Sequence, residues 1–537
     1  MTGLKALHLF RRIPRGAYLY AILAFAAPAA YALYTQHVWE DFFITFRFSQ
    51  NLCEGKGLVY NEGEKVHGFT SPLGVLLPAF CYLATGSTDY PPALWVFRVF
   101  CFAAFALGGA LLVRAVSFDS VSRASVFFAG LLYLLDAKSV AFTANGMETA
   151  FMLCLVSWLV YLFQRDRENP WLARGLCWAG LMWTRPDGCV YIAALSLAHL
   201  TFAERSRRLV LVSFLRSALV STLVYLPWFA WAWSYYGSPV PNTLVAKSLY
   251  FTNNYQTYLD EVIHSFPAHF VYKTTLLFAP IYYGGFHAWP VWIGPICLAV
   301  ALSCCVYWVL PIADRLGRMA SLAFTFLCCY GTVVPVVFPW YPPPVVLLGI
   351  VTLARGLPAL AQVVPSCSAV SRIVAVVVLA TLSGLAGSLL WLTAWQMKIQ
   401  QQVIENGNRT AVGLWLKDHV RPSEQVFLET LGYIGFFSQA RIMDYPGLVS
   451  PTVVHLRKER HLDFVGLMAE LEPEWVVARQ RQAGEIAQVP SLVAQYKLVK
   501  TFDVRPELQE QGYIPGAGYL WYDALFLVYH RDRNTTP

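Results

Sequence analysis

Charge is what this sequence has least of. Of its 537 residues only 13% are Asp, Glu, Lys or Arg, 57% are hydrophobic, and the mean hydropathy is +0.48. Soluble domains carry about a quarter charged residues, so this scarcity excludes an ordinary soluble fold and leaves an integral membrane protein. Cysteine is missing from the polar C-terminal portion: all twelve lie before residue 370, mostly inside apolar segments, where they act as small hydrophobes. There is no CxxC and no His-rich spacing, so neither a disulfide framework nor a zinc site is suggested. Gly-rich phosphate loops of the GxxxxGK[ST] or GxGxxG type are also absent. The net charge of +8 is no sign of nucleic acid, because Lys and Arg of the apolar part fall in short clusters between hydrophobic segments. Such clusters report topology.

Apolar runs are what is there. A membrane-crossing helix needs about 20 apolar residues. That window predicts eleven spans, near 17–36, 93–113, 124–142, 147–163, 170–184, 188–203, 209–232, 290–310, 319–337, 345–362 and 373–395, with 72–85 too short to cross. The basic MTGLKALHLFRRIPRG before the first run reads as the flank of a retained signal anchor. With Arg11, Arg12 and Arg15 taken as cytoplasmic, Arg114, Arg123, Arg165, Arg167, Arg205, Arg207, Arg208, Arg315, Arg318 and Arg372 fall on the same side. The outer side then receives 39–92, 138–148, 184–187, 234–289, 338–344 and the tail. The fold expected is a polytopic α-helical membrane protein: a transmembrane part over 1–395, an external loop over 37–92, and a C-terminal external α/β domain over 396–537. In that tail QVFLE, RIMDY, EWVVAR, YKLVKTF and ALFLVYH read as strands, with helical pieces between them.

The chain is organised around Trp39 to Leu76, WEDFFITFRFSQNLCEGKGLVYNEGEKVHGFTSPLGVL. Glu40 and Asp41 open it within a turn of the bilayer surface, where a carboxylate stays ionised because the headgroup region is wet. Phe42, Phe43, Phe46, Phe48 and Leu52 recur near helical spacing, predicting an amphipathic helix lying along the interface. Other polar residues collect on the same side: Arg47; Asn145 and Glu148 in TANGMET; Arg185 and Asp187 in WTRPDG; Asn242 and Lys247 in YYGSPVPNTLVAK; Trp340 and Tyr341 in FPWYPPP. Carboxylates, cations and aromatics from several loops on one face are what a site at the bilayer surface needs.

These residues carry a resemblance. The stretch EDFFITFRFSQNLCEGKGLVYNEGEKVHGFTSPL resembles the first external loop of bacterial GT-C glycosyltransferases that use polyprenyl-phosphate sugars, nearest to the mycobacterial arabinofuranosyltransferase-type pattern DDAFITYRYAxNL…GYTSPLW. GMET is similar to that subgroup's GLET, WTRPDG to TRPEG, SPVPNTLVAK to LLPNTxYAK, and GYIGFFSQARIMDYPGLVSP to a recurring stretch of its tail. Two departures stand out: Glu40 replaces the first Asp of the pair, leaving open which carboxylate is the base, and His67 replaces an acidic residue before Gly68. The resemblance implies an inverting transfer from a polyprenyl-phosphate-linked sugar to a glycan or glycolipid acceptor at the outer face of a bacterial inner membrane, among membrane lipids. It implies Asp41 or Glu40 as general base and Arg47, His67, Asn145, Glu148, Arg185, Asp187, Asn242, Lys247, Trp340 and Tyr341 around the substrates.

Plainer readings stand beside these. Glu148 favours a helix dipole as a mere N-terminal residue, Lys247 can snorkel, and Trp340 with Tyr341 fits an aromatic belt. Arg98, inside a span, is expected to face protein, and Glu429 and Asp444 are expected to be structural. The Asn408 and Asn534 sequons read as chance matches. A Glu–Asp pair is also a ligand type for a divalent cation, and no complete ligand set is visible. The rival function is a transporter or lipid-linked-sugar flippase using the same carboxylates for ion coupling; such proteins place ionisable groups near the bilayer midplane.

Overall fold

The computed structural model describes residues 15–86, 89–118, 123–249, 255–280, 289–363 and 368–532; Arg11, Arg12 and Asn534 lie outside them. A helix stands at each of the eleven expected spans: α1 (Arg15–Thr35), α4 (Tyr90–Val116), α5 (Arg123–Leu135) with α6 (Ala137–Ala144), α7 (Thr149–Gln164), α8 (Trp171–Thr184), α9 (Gly188–Thr201), α10 (Arg207–Tyr236), α14 (Ile293–Val306), α15 (Arg315–Val333), α16 (Pro342–Val363) and α17 (Ser368–Ile399). Among the described residues four of these, α1, α4, α10 and α15, are by themselves long and apolar enough to cross a membrane. The span expected at 124–142 is not one straight helix: α5 and α6 meet at 49°. Asp136 causes the break, since its carboxylate caps α6 by accepting from the Ser139 N–H. α10 leaves Leu215, Leu219 and Leu223 exposed, as a lipid-facing helix does.

The basic connectors share one end of the bundle. Arg167 and Arg315 both reach Glu204, Arg205 reaches Asp166, and Arg355 beside Asp314 donates to the carbonyls of Val116 and Phe118. Arg98 is buried in protein, as expected, donating at 2.7 Å each to the carbonyls of Ala144 and His37.

At the opposite end lie α2 (Glu40–Cys53), α3 (Leu73–Ala84, twelve residues) and, within 234–289, three helices the sequence did not announce: α11 (Asn242–Ser248), α12 (Tyr255–His264) and α13 (Phe266–Leu276). The helix expected over the aromatic run forms, and its apolar face is covered by protein. Phe42, Phe43, Phe46 and Phe48 are fully buried, and Phe43 packs on Tyr433, Phe436 and Phe437 of the tail. An apolar stripe seeks any apolar partner; here the partner is the same chain.

The tail opens without a break at residue 396. α17 passes into a π-helical stretch, Gln400–Thr410, then α18 (Ala411–His419). The five expected strands form one sheet: β1 (Gln425–Leu428), β2 (Arg441–Asp444), β3 (Trp475–Arg479), β4 (Tyr496–Asp503) and β5 (Leu525–Arg531), in the order β2-β1-β3-β5-β4. The β1–β2 and β1–β3 pairs are parallel, and β5 runs antiparallel to both β3 and β4. α19 (Tyr433–Ser438) joins β1 to β2 and carries the aromatics that meet α2. Ile44, Phe48, Leu58, Tyr60, Phe69 and Val75 share one hydrophobic cluster with Val426, Leu428, Ile434, Ile442 and Trp475. The loop after α1 and the tail therefore fold around a common core.

Candidate active site

α2 begins where three backbone contacts hold the chain after α1. The Val38 N–H donates to Gln401 Oε1 (2.9 Å), the Val38 carbonyl accepts from the Tyr433 hydroxyl (2.9 Å), and the Trp39 N–H donates to the Asn145 carbonyl (2.9 Å). Asn145 thus acts through its main chain. The next residue, Gly146, has φ +92° and lies against the Phe42 ring, so a side chain is excluded twice over.

The two carboxylates of the pair part company. Glu40 is occupied: its Oε2 lies 2.9 Å from Arg409 Nη1, and its Oε1 accepts from the Gly432 N–H at 3.3 Å. Arg409 also binds Glu405 (2.8 Å) and Asp523, and Asp523 binds Arg479 (2.5 Å), which pairs with Glu429 (2.6 Å). Burial, the largest effect, pushes Glu40 up to about 7 against the pull of Arg409, with Asp523 and Glu405 adding to the rise. Asp523, held between Arg479 and Arg409, is drawn down to about 2 despite burial. Sequence reasoning missed Arg409, Glu405 and Asp523; only the i,i+4 spacing of Glu405 and Arg409 offered a signal. Gly432 closes the contact. A Cβ there would sit 2.4 Å from the Glu40 carbonyl oxygen, so Gly432→Ala is expected to displace the first turn of α2 and cost about 1–3 kcal/mol, read as a lower thermal midpoint in detergent.

Asp41 is free. Among the described residues its carboxylate makes no hydrogen bond and no ion pair. Burial, the largest effect, raises it above the ordinary Asp value, and Lys247, Arg185 and Arg409 pull it back, so these three cations lie within electrostatic reach.

Two of them line a cavity of about 550 Å³ between α9, α11, α13 and α15, together with Asp187 and Tyr341 and otherwise largely apolar walls. Arg185 leaves α8 in extended conformation, donates through Nε to Asp187 Oδ1 (2.9 Å), approaches Glu148 Oε1 (3.4 Å) and lies 4.3 Å over the Tyr341 ring. Lys247 Nζ lies over the rings of Phe338 (4.7 Å) and Trp340 (5.6 Å) and has no hydrogen-bond or ion-pair partner among the described residues. An unpaired ammonium beside aromatic faces, next to an apolar cavity, suits the phosphate of a lipid. Lys273, not foreseen, lines the same cavity but is spent on the carbonyls ending α15, among them Thr332 (3.1 Å).

The structure thus gathers Asp41, Glu148, Arg185, Asp187, Lys247, Trp340 and Tyr341. It does not bring Arg47, His67 or Asn242 to them. Arg47 donates to the carbonyls of Gly435 (2.7 Å) and Ala440 (2.8 Å), fastening α2 to the tail. His67 stacks on Tyr236 (4.6 Å), burial lowers it to about 4, and its carbonyl accepts from the Asn242 N–H (2.9 Å). The Asn242 amide donates to the carbonyls of Gly447 (2.6 Å) and Leu448 (3.0 Å). Polar side chains in this loop satisfy buried main chain as readily as substrate, which sequence alone does not separate. Asn408 is buried and donates to the Asp523 carbonyl (2.7 Å), so that sequon is no glycan site in the folded chain. Among the described residues no group of three or more His, Cys, Asp or Glu is placed to hold a metal ion; Glu40 turns to Arg409 and away from any shared site with Asp41.

Comparison with known proteins agrees with this architecture. The chain has the fold of ArnT, a GT-C glycosyltransferase: it superposes on ArnT of Cupriavidus metallidurans bound to undecaprenyl phosphate with a TM-score of 0.54 and 14% identity, over 96% of this chain and 97% of that one. The apo state of that protein matches equally. In sequence it is 30% identical over 237 residues to the terminal β-(1→2)-arabinofuranosyltransferase of Corynebacterium glutamicum; the match takes in 39% of this chain and spans a third of that relative's length. Residues 395–523 match a domain of unknown function, DUF8728. They include Glu405, Arg409, Glu429, Gly432, Arg479 and Asp523, the whole set that clamps Glu40.

Proposed function

We propose that this protein is a polytopic inner-membrane glycosyltransferase of about eleven crossings, N-terminus cytoplasmic and tail outside, which moves a sugar from a polyprenyl-phosphate donor to an envelope glycan or glycolipid at the outer face. One observation carries this reading: the Asp41 carboxylate, unpaired among the described residues, stands within electrostatic reach of two cations that line a largely apolar cavity of about 550 Å³. The acceptor oxygen attacks the anomeric carbon as the bond from that carbon to the phosphate oxygen breaks. The hydroxyl proton passes to Asp41, and polyprenyl phosphate leaves with the bonding electron pair. Lys247 and Arg185 offset the charge that grows on the departing phosphate. Glu148 and Asp187 keep Arg185 oriented, and Tyr341 and Trp340 hold the cations in place. The arabinofuranosyltransferase likeness favours a pentosyl donor. The transfer as proposed uses the chain's own cations; a divalent ion would need Asp41 with ligands from substrate. The residues of the candidate site gather at one end of the bundle and not midway along it, which argues against ion coupling by a transporter.

A panel of radiolabelled polyprenyl-phosphate sugars tests the reading. Transfer from at least one is expected; uptake into vesicles driven by a proton or sodium gradient, with no transfer, would overturn it. A base must be ionised, so kcat/KM falls as pH drops through the Asp41 pKa, and this acid limb lies above the ordinary Asp range. Lys247→Met removes a charge that lowers that pKa. The limb should move to higher pH, and transfer should drop about 10²-fold. A limb that stays put would separate Lys247 from the base.

A further inference from the structure

The loop and the tail enclose a second cavity, of about 400 Å³, that the transfer reaction leaves unused. Its floor is Arg47 and Asn51 of α2, six and ten residues past Asp41 and so about 9–15 Å along the helix axis. One rim is Lys417 at the end of α18 with Arg421 just beyond; the other is the turn from α19 into β2. Five cations line it (Arg47, Lys56, Lys417, Arg421 and Arg441) against one carboxylate, Glu62. Lys56 is answered by Glu54 at 2.7 Å, and Arg441 by Glu64. The buried guanidinium of Arg47 meets two carbonyls and the Tyr60 ring and, among the described residues, no carboxylate. Lys417 and Arg421 are exposed, and among the described residues their side chains have no hydrogen-bond or ion-pair partner. Glu424, which accepts from the Arg421 N–H at 3.0 Å, lies within electrostatic reach of Arg421, so the cleft keeps its least answered positive charge at Arg47 on the floor and Lys417 on the rim.

We propose that this cleft binds an anionic saccharide, a sugar carrying a phosphate or carboxylate. The cations take the anion. Acceptors remain for sugar hydroxyls: Glu62, and the carbonyl oxygens of Asn51 and Gln439, whose amide N–H groups are already spent on main-chain carbonyls. Unlike the largely apolar donor cavity, this one is lined mostly by polar side chains. Its volume far exceeds a bare anion, since water's share of liquid is about 30 Å³. The site does not depend on the transfer reading, because no residue in it touches the donor cavity.

The test uses the full chain purified in detergent and titrated by calorimetry with glucose 6-phosphate, glucose, inorganic phosphate and a short-chain phosphatidylglycerol. Glucose 6-phosphate is expected to bind saturably and at least tenfold more tightly than the other three. Lys417→Glu with Arg421→Glu should weaken it at least tenfold, Lys417→Arg with Arg421→Lys should not, and Lys247→Met in the donor cavity should leave it unchanged. Equal binding of inorganic phosphate or of the lipid would overturn the assignment to a saccharide. So would equal binding of glucose, no saturation, indifference to the charge reversal, or loss on Lys247→Met.

Discussion

Asp41→Asn is expected to lower sugar transfer by about 10²–10⁴-fold, the range of a general base, while the protein elutes and melts as wild type. The reason is geometric. Asp41 makes no hydrogen bond or ion pair among the described residues, so exchanging one carboxylate oxygen for an amide costs the fold little and removes only the proton acceptor. Glu40→Gln should behave in the opposite way. Its carboxylate answers Arg409 and the Gly432 N–H, so the variant should lose stability and keep more activity than Asp41→Asn. An active Asp41→Asn beside a dead but well-folded Glu40→Gln would exchange the two roles.

Arg409→Met should be the most destabilising single change in the tail, by about 3–5 kcal/mol, because it strands buried charge. Glu40, Glu405 and Asp523 all lose a counter-ion, and only Arg479 remains, shared between Asp523 and Glu429. The pH dependence follows in sign. Asp523 is depressed to about 2 in the folded protein, so in wild type its contribution is full above the ordinary carboxylate range and fades as pH falls toward about 2. Without Arg409 the carboxylates rise, and protonating them relieves the repulsion, so the deficit of Arg409→Met should shrink as pH drops from 7 to 5. Thermal melts at both values read this; a deficit independent of pH would mean that Arg409 acts by packing alone. Transfer should fall with stability, because the clamp sets the first turn of α2.

That clamp separates what was legible from what was not. The eleven helical segments could be read because apolar run length is local and the bilayer demands it. The strands of the tail could be read because alternation and β-branched content are local too. The α5–α6 break was signalled by Asp136, but a cap inside an apolar run is indistinguishable by pattern from a buried polar residue. α2 shows the limit best. Its periodicity gave a helix with an apolar face, and nothing in the periodicity says whether lipid or α19 covers that face.

The same holds for the site. Asp41, Glu148, Arg185, Asp187, Lys247, Trp340 and Tyr341 were marked by residue type and by falling at one end of the bundle, while Arg47, His67 and Asn242 were marked on equal grounds and lie apart from them. The chain's order of residues determined that the protein enters a membrane, where its helices run and which end collects polar groups, since these follow from hydrophobicity summed over neighbours. Only the tertiary structure decided which of two adjacent carboxylates is free, because that depends on Arg409, 368 positions past Asp41, arriving beside Glu40 and not beside Asp41.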